Sequence, residues 1–147
     1  MKTLLLSLLC LLMAKAATAA EFRHVGDYLL QAHFKVTGAE LVPIPMKSMV
    51  FSIYTDGVTV RVHLEGEDKA YTSFDVYRSD GIGRQRPDSG ALEVIPGIQA
   101  STDTGGILRH LRLSKESLTI TTFPGVSDQT IVSHAIAAVP RETEPSE

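Results

Sequence analysis

The sequence predicts an all-β chain: a single antiparallel domain of about eight strands, arranged as an up-and-down sandwich or a partly open barrel. Three observations carry this. Apolar and polar residues alternate along most segments after the first nineteen residues, which is the period of a half-buried strand. Gly, Pro, Asp and Ser clusters punctuate the chain at the short intervals of consecutive hairpins. Asp56-Gly57, inside Met49–Leu64 (MVFSIYTDGVTVRVHL), is a strong hairpin signal, because a type I′ turn needs two residues that tolerate positive φ. A loop of those two residues sets Ile53 opposite Val60, Phe51 opposite Val62 and Met49 opposite Leu64 on one apolar face. Tyr54, Thr59, Ser52, Arg61, Val50 and His63 then take the other face.

In chain order, Met1–Ala19 reads as a secretory signal peptide, with Lys2, an apolar run from Leu4 to Ala14 and Ala17-Thr18-Ala19 as cleavage signal. The run is shorter than the ~20 residues of a spanning helix, and no later segment approaches that length, so no membrane span is expected. Cys10 raises lipidation, but Leu9 stands where a lipid-attachment signal wants a small residue, and lipidation at Cys10 is not expected. The mature chain then has no cysteine, which removes disulfides, thiolate catalysis and Cys-ligated zinc. Losing Lys2 and Lys15 makes the formal charge of −3 more negative. An acidic chain has no electrostatic reason to hold nucleic acid.

Residues 20–139 form the expected β-domain. Asp27–Thr37 alternates Tyr28, Leu30, Ala32, Phe34 and Val36 against Leu29, Gln31, His33, Lys35 and Thr37, a half-buried strand. Pro43 and Pro45 forbid a central strand before Met49, leaving an extended surface run. Val58–Glu65 alternates, Gly66–Lys69 has turn composition, and Ala70–Arg78 returns as a strand. Ser79–Gly90 (SDGIGRQRPDSG) reads as a long irregular loop. Ala91–Ile95 is a short strand, and Ser101–Gly106 is loop by composition. Ile107–Ser114 (ILRHLRLS) fits a strand with Arg109 out of pattern, or a helix. Strand is preferred, because a turn at Ser114–Ser117 pairs Leu113 with Leu118 and Leu111 with Ile120 in the β-branched run Leu118–Phe123. Thr130–Val139, small on one face and apolar on the other, suggests a strand covered on both sides. Pro140–Glu147 is an acidic tail, expected to be disordered. The strand order of Met49–Ser79 (MVFSIYTDGVTVRVHLEGEDKAYTSFDVYRS) resembles part of the open half-barrels of bacterial lipoprotein carriers, which implies an open sheet at the level of the fold.

No catalytic constellation emerges, so the chain reads as a non-enzyme. Ser89 beside Asp88 follows Pro87 as turn chemistry, without a nucleophile elbow. Glu65, Glu67 and Asp68 crowd a turn, and Asp75 stands alone on a strand face. His24, His33, His63, His110 and His134 lack the local pairing of ligand sets, so neither a metal nor another cofactor is expected. For binding, the loop arginines Arg84 and Arg86 beside Gly81-Ile82-Gly83 could hold an anion. Arg61 and His63, with Arg109, His110 and Arg112, would form a basic stripe if their strands were neighbours. The function expected is a secreted or periplasmic β-domain that binds a small apolar ligand or a protein partner. The alternative is an envelope assembly module acting through an exposed sheet edge, either the proline-bounded stretch before Met49 or Ala91–Ile95.

Overall fold

The computed structural model describes residues 21–65, 70–125 and 129–138. The expected leader, the turn at 66–69 and the expected tail over 140–147 lie outside the described residues. Eight strands form the body: β1 (Arg23–Thr37), β3 (Val50–Thr55), β4 (Thr59–Leu64), β5 (Tyr71–Arg78), β8 (Gly97–Thr104), β9 (Ile107–Ser114), β10 (Ser117–Pro124) and β11 (Gln129–Ala137). Three shorter strands decorate it: β2 (Glu40–Pro43), β6 (Ile82–Gln85) and β7 (Leu92–Ile95). Each body strand pairs antiparallel with the next, and β11 returns to β1, so the sheet closes into an eight-stranded up-and-down barrel. The barrel alternative thus holds in part, whereas the sandwich, the partial openness and the open sheet implied by the half-barrel resemblance are corrected to a closed ring.

Closure is the work of β1. It begins at Arg23 rather than Asp27, and its 15 residues serve both edges of the meander. Residues 23–29 pair with β3, and residues 28–37 pair with β11. Bulges at His24/Gly26 and Leu30/Ala32 let the strand bend from one partner to the other. The second bulge also swaps faces. Tyr28 and Leu30 pair with the inward Ala137 and Ala135, whereas beyond the bulge it is His33, not Ala32 or Phe34, that pairs with Ser133 on the inward side.

The β3–β4 hairpin has the expected faces but a different register. Ile53 pairs with Val62, Phe51 with Leu64 and Thr55 with Val60, a shift of two residues along β4. A shift of two preserves which face each side chain occupies. The cause lies in the turn. Only Gly57 adopts positive φ, at 97°, and among the described residues no non-glycine does, so Asp56 does not take the conformation a type I′ turn demands. Its carboxylate instead accepts the backbone N–H groups of Val58 (3.0 Å) and Thr59 (2.7 Å). The Thr55 hydroxyl donates to the Thr59 carbonyl at 2.8 Å and accepts Gly57 N–H at 3.0 Å. Two side chains thus satisfy the turn backbone, and the strands pair beyond them.

The core fills one end of the barrel. Tyr28, Ile53, Val60, Phe74, Leu111 and Leu118 are essentially inaccessible, and Ala100 and Ala135 make room for the larger rings. Tyr28 reaches across to donate its hydroxyl to the Ser114 carbonyl at 2.8 Å, joining the first strand to the ninth. On the outer side of β11, Ile136 is 45% exposed while Val132 and His134 are half-buried, so that face is covered only in part.

Ser79–Gly90 is not wholly irregular, because β6 lies within it and pairs with β7 as a separate hairpin. This hairpin lies against the outer side of β8 and β9. Ile82 is buried against Gly97, Gln99 donates to the Gly81 carbonyl at 3.1 Å, and the Arg112 guanidinium donates to the Gly83 carbonyl. Ile107–Ser114 is a strand, and Leu113–Leu118 and Leu111–Ile120 pair as expected.

Candidate functional site at the barrel opening

The end where β4 passes to β5 and β8 to β9 holds a cavity of about 390 Å³. Its position follows from side-chain size. Near Tyr28 the inward positions of β9 and β10 carry Leu113 and Leu118, whereas towards the opening β5, β10 and β11 present Thr72, Thr122 and Ser133. Short side chains on three strands cannot meet across a barrel of this width, so space remains. Phe51, Val62, Leu64 and Ile120 supply apolar wall, and Phe74, 1% exposed, lies at the inner end.

Arg109 lines this cavity. Along β9 its position alternates in step with the buried Leu111 and Leu113, while Leu108 and Arg112 face outward. Its strand neighbours are Thr122 on β10 and Thr102 on β8. Asp75 lies next in sequence to the buried Phe74, and Asp103 next to the inward Thr102, which puts both carboxylates on the outer side. The residue is half-buried and, among the described residues, its guanidinium forms no ion pair and no side-chain hydrogen bond. Arg109 stood out of pattern in the sequence, a signal that could have marked the site, although the expectation from sequence set it in a basic stripe with Arg61 and His63. Ser133, on the cavity wall, has its Oγ 2.9 Å from His33 Nδ1.

The other singled-out residues lie elsewhere. Arg84 is bound to Glu93 at 2.5 Å and to Glu116 at 3.2 Å, and Arg86 to Asp88 at 2.8 Å, so carboxylates of the chain already occupy both guanidinium forks. The Ser89 hydroxyl donates to Asp88 at 3.2 Å. The basic stripe does not form, because β5 and β8 separate β4 from β9 and Arg109 faces inward while Arg61 and His63 face out. His24 pairs with Asp27 at 3.0 Å, and His134 Nδ1 lies 3.0 Å from the Thr119 hydroxyl. The Asp27 carboxyl is held below its ordinary range by a hydrogen bond from Ser52 and by His24. Among the described residues no group of three or more His, Cys, Asp or Glu could hold a metal ion.

Register also builds an outer aromatic row that the sequence pattern did not reveal. His24, Tyr54, His63 and Tyr71 follow one another across β1, β3, β4 and β5 with ring centroids 5.0–5.2 Å apart. The Arg61 guanidinium lies between the rings of Phe22 (3.6 Å) and Tyr71 (4.6 Å). A second row joins Tyr77, His110 and Phe123.

Fold and site together define a closed, eight-stranded antiparallel barrel with a packed end and a hollow end. Comparison with protein-family models, with curated proteins and with solved structures finds no match.

Proposed function

We propose that this is an exported, non-enzymatic binding barrel that takes a small apolar or amphipathic ligand into the hollow end. The observation that carries the reading is the cavity of about 390 Å³, walled in part by Phe51, Val62, Leu64 and Ile120 and in part by Thr72, Arg109, Thr122 and Ser133, a volume within the ~300–1,000 Å³ of small-molecule sites. The polarity of the wall supports a body surrounded by water. Its buried core is apolar, whereas Ser52, Arg61, His63, Asp75 and Arg112 alternate outward. Membrane barrels have the reverse arrangement. The export reading comes from the leader-like first nineteen residues.

A neutral apolar dye, N-phenyl-1-naphthylamine, tests the cavity. It should brighten on binding the wild-type protein and fail to do so with Thr72→Trp, which places an indole in the opening. Dye binding unaffected by the indole refutes this location.

A second reading, partner binding through a sheet edge, is supported by a different observation. Ring closure leaves only β2 and the β6–β7 hairpin with free edges among the described strands, and Leu92 and Val94 on β7 are 85% and 71% exposed. Native mass spectrometry of the protein from its own compartment separates the readings. A retained small apolar mass supports the cavity, and a stable dimer or foreign subunit supports the edge.

A further inference from the structure

A guanidinium that faces a partly apolar chamber gives up some hydration, and a ligand that brings the opposite charge offsets that loss. Arg109 is placed this way, partly buried, with no carboxylate of the described residues against it. A Leu or Val at this position would have continued the apolar alternation of Leu111 and Leu113. We propose that the ligand is a medium-chain aliphatic carboxylate whose head is held by Arg109, with the Thr122 hydroxyl beside it, and whose tail lies among Phe51, Val62, Leu64 and Ile120. This inference rests on the cavity reading and adds the ligand's charge and size.

Charge complementarity selects the head. A carboxylate matches the planar fork of a guanidinium through two parallel hydrogen bonds, whereas an ammonium head would be repelled and an alcohol would leave the cation without a counter-ion. Volume selects the tail. A cavity of about 390 Å³, open at one end, has room for a chain of medium length. Decanoate is a carboxylate of that kind.

The test is isothermal titration calorimetry at pH 8 of delipidated protein with decanoate, decanol and decyltrimethylammonium. Wild type should bind decanoate about ten- to a hundredfold more tightly than decanol, the range of a charge-assisted hydrogen bond, and bind the cation most weakly. Arg109→Met should abolish the preference for decanoate while keeping decanol, and Arg109→Lys should retain part of it. If Arg109→Met does not fold, the salt dependence of the wild type decides: decanoate affinity should fall with added salt while decanol affinity does not. Equal wild-type affinities for decanoate and decanol, or a preference unchanged in Arg109→Met, would overturn the role of Arg109 and leave the cavity reading standing. Binding of none of the three molecules would overturn both.

Discussion

Tyr28→Phe tests why the barrel is packed at one end only. Tyr28 is 2% exposed, and its hydroxyl donates to the Ser114 carbonyl at 2.8 Å, across 86 residues of sequence. The substitution removes one oxygen, leaves the ring in place, and deprives a buried carbonyl of a donor. Losing such a bond costs about 1–2 kcal/mol, because the orphaned acceptor cannot recover water. At ~4 °C per kcal/mol for a domain of this size, Tm should fall by about 4–8 °C. Urea titration followed by far-UV circular dichroism gives the free energy at unchanged m-value. The same variant carries a pH signature. Burial raises the Tyr28 phenol above its ordinary value of 10.0. The neutral form therefore contributes stability fully present below that value and lost as pH rises through the folded one. Wild type should weaken above about pH 10 more steeply than the variant. A Tyr28→Phe protein as stable as wild type at pH 7, with the same alkaline profile, would refute the claim that this hydroxyl ties β1 to β9.

Other consequences are as direct. Asp56→Ala should destabilise the β3–β4 hairpin, and Asp56→Asn, which keeps the accepting oxygen, should do so less; comparison of their urea midpoints checks this. The Thr59 N–H bond holds the Asp56 carboxyl below its ordinary 3.8, so its contribution is present above that value and is lost as pH falls through the folded one. Gly97→Ala would place a methyl group against Ile82 and 2.6 Å from the Leu113 carbonyl oxygen. It should cost about 1–3 kcal/mol, and Ile82→Ala should restore part of this in a double-mutant cycle, the rest belonging to the backbone clash. Phe22→Ala removes one ring from the Arg61 sandwich and should cost about 0.5–1 kcal/mol by the same titration. Arg84→Gln should leave both Tm and decanoate affinity unchanged, since the exposed Arg84 contacts Glu93 and Glu116 outside the barrel.

The β-class, the meander and the inward identity of Ile53, Val60, Val62, Leu111 and Leu118 follow from the sequence by itself, because alternation with a period of two fixes the face of each side chain wherever the strand runs without a bulge. The pairing of Ile107–Ser114 with Leu118–Phe123 was equally legible, since a tight turn leaves one register. Three matters were decided only in three dimensions. Closure needed β1 to bend at two bulges and serve both β3 and β11, and an extra residue in a ladder leaves no mark in composition. The hairpin register depended on Thr55 and Asp56 bonding to the turn, a competition between side-chain and backbone donors that the Asp-Gly signal alone does not weigh. The cavity depended on Thr72 of β5 coming to the same end of the ring as Thr122 and Ser133 of the neighbouring β10 and β11, far from it in the chain. An alternation pattern assigns each side chain to a face, whereas the volume enclosed between faces is a sum over all eight strands and exists only once the ring has closed.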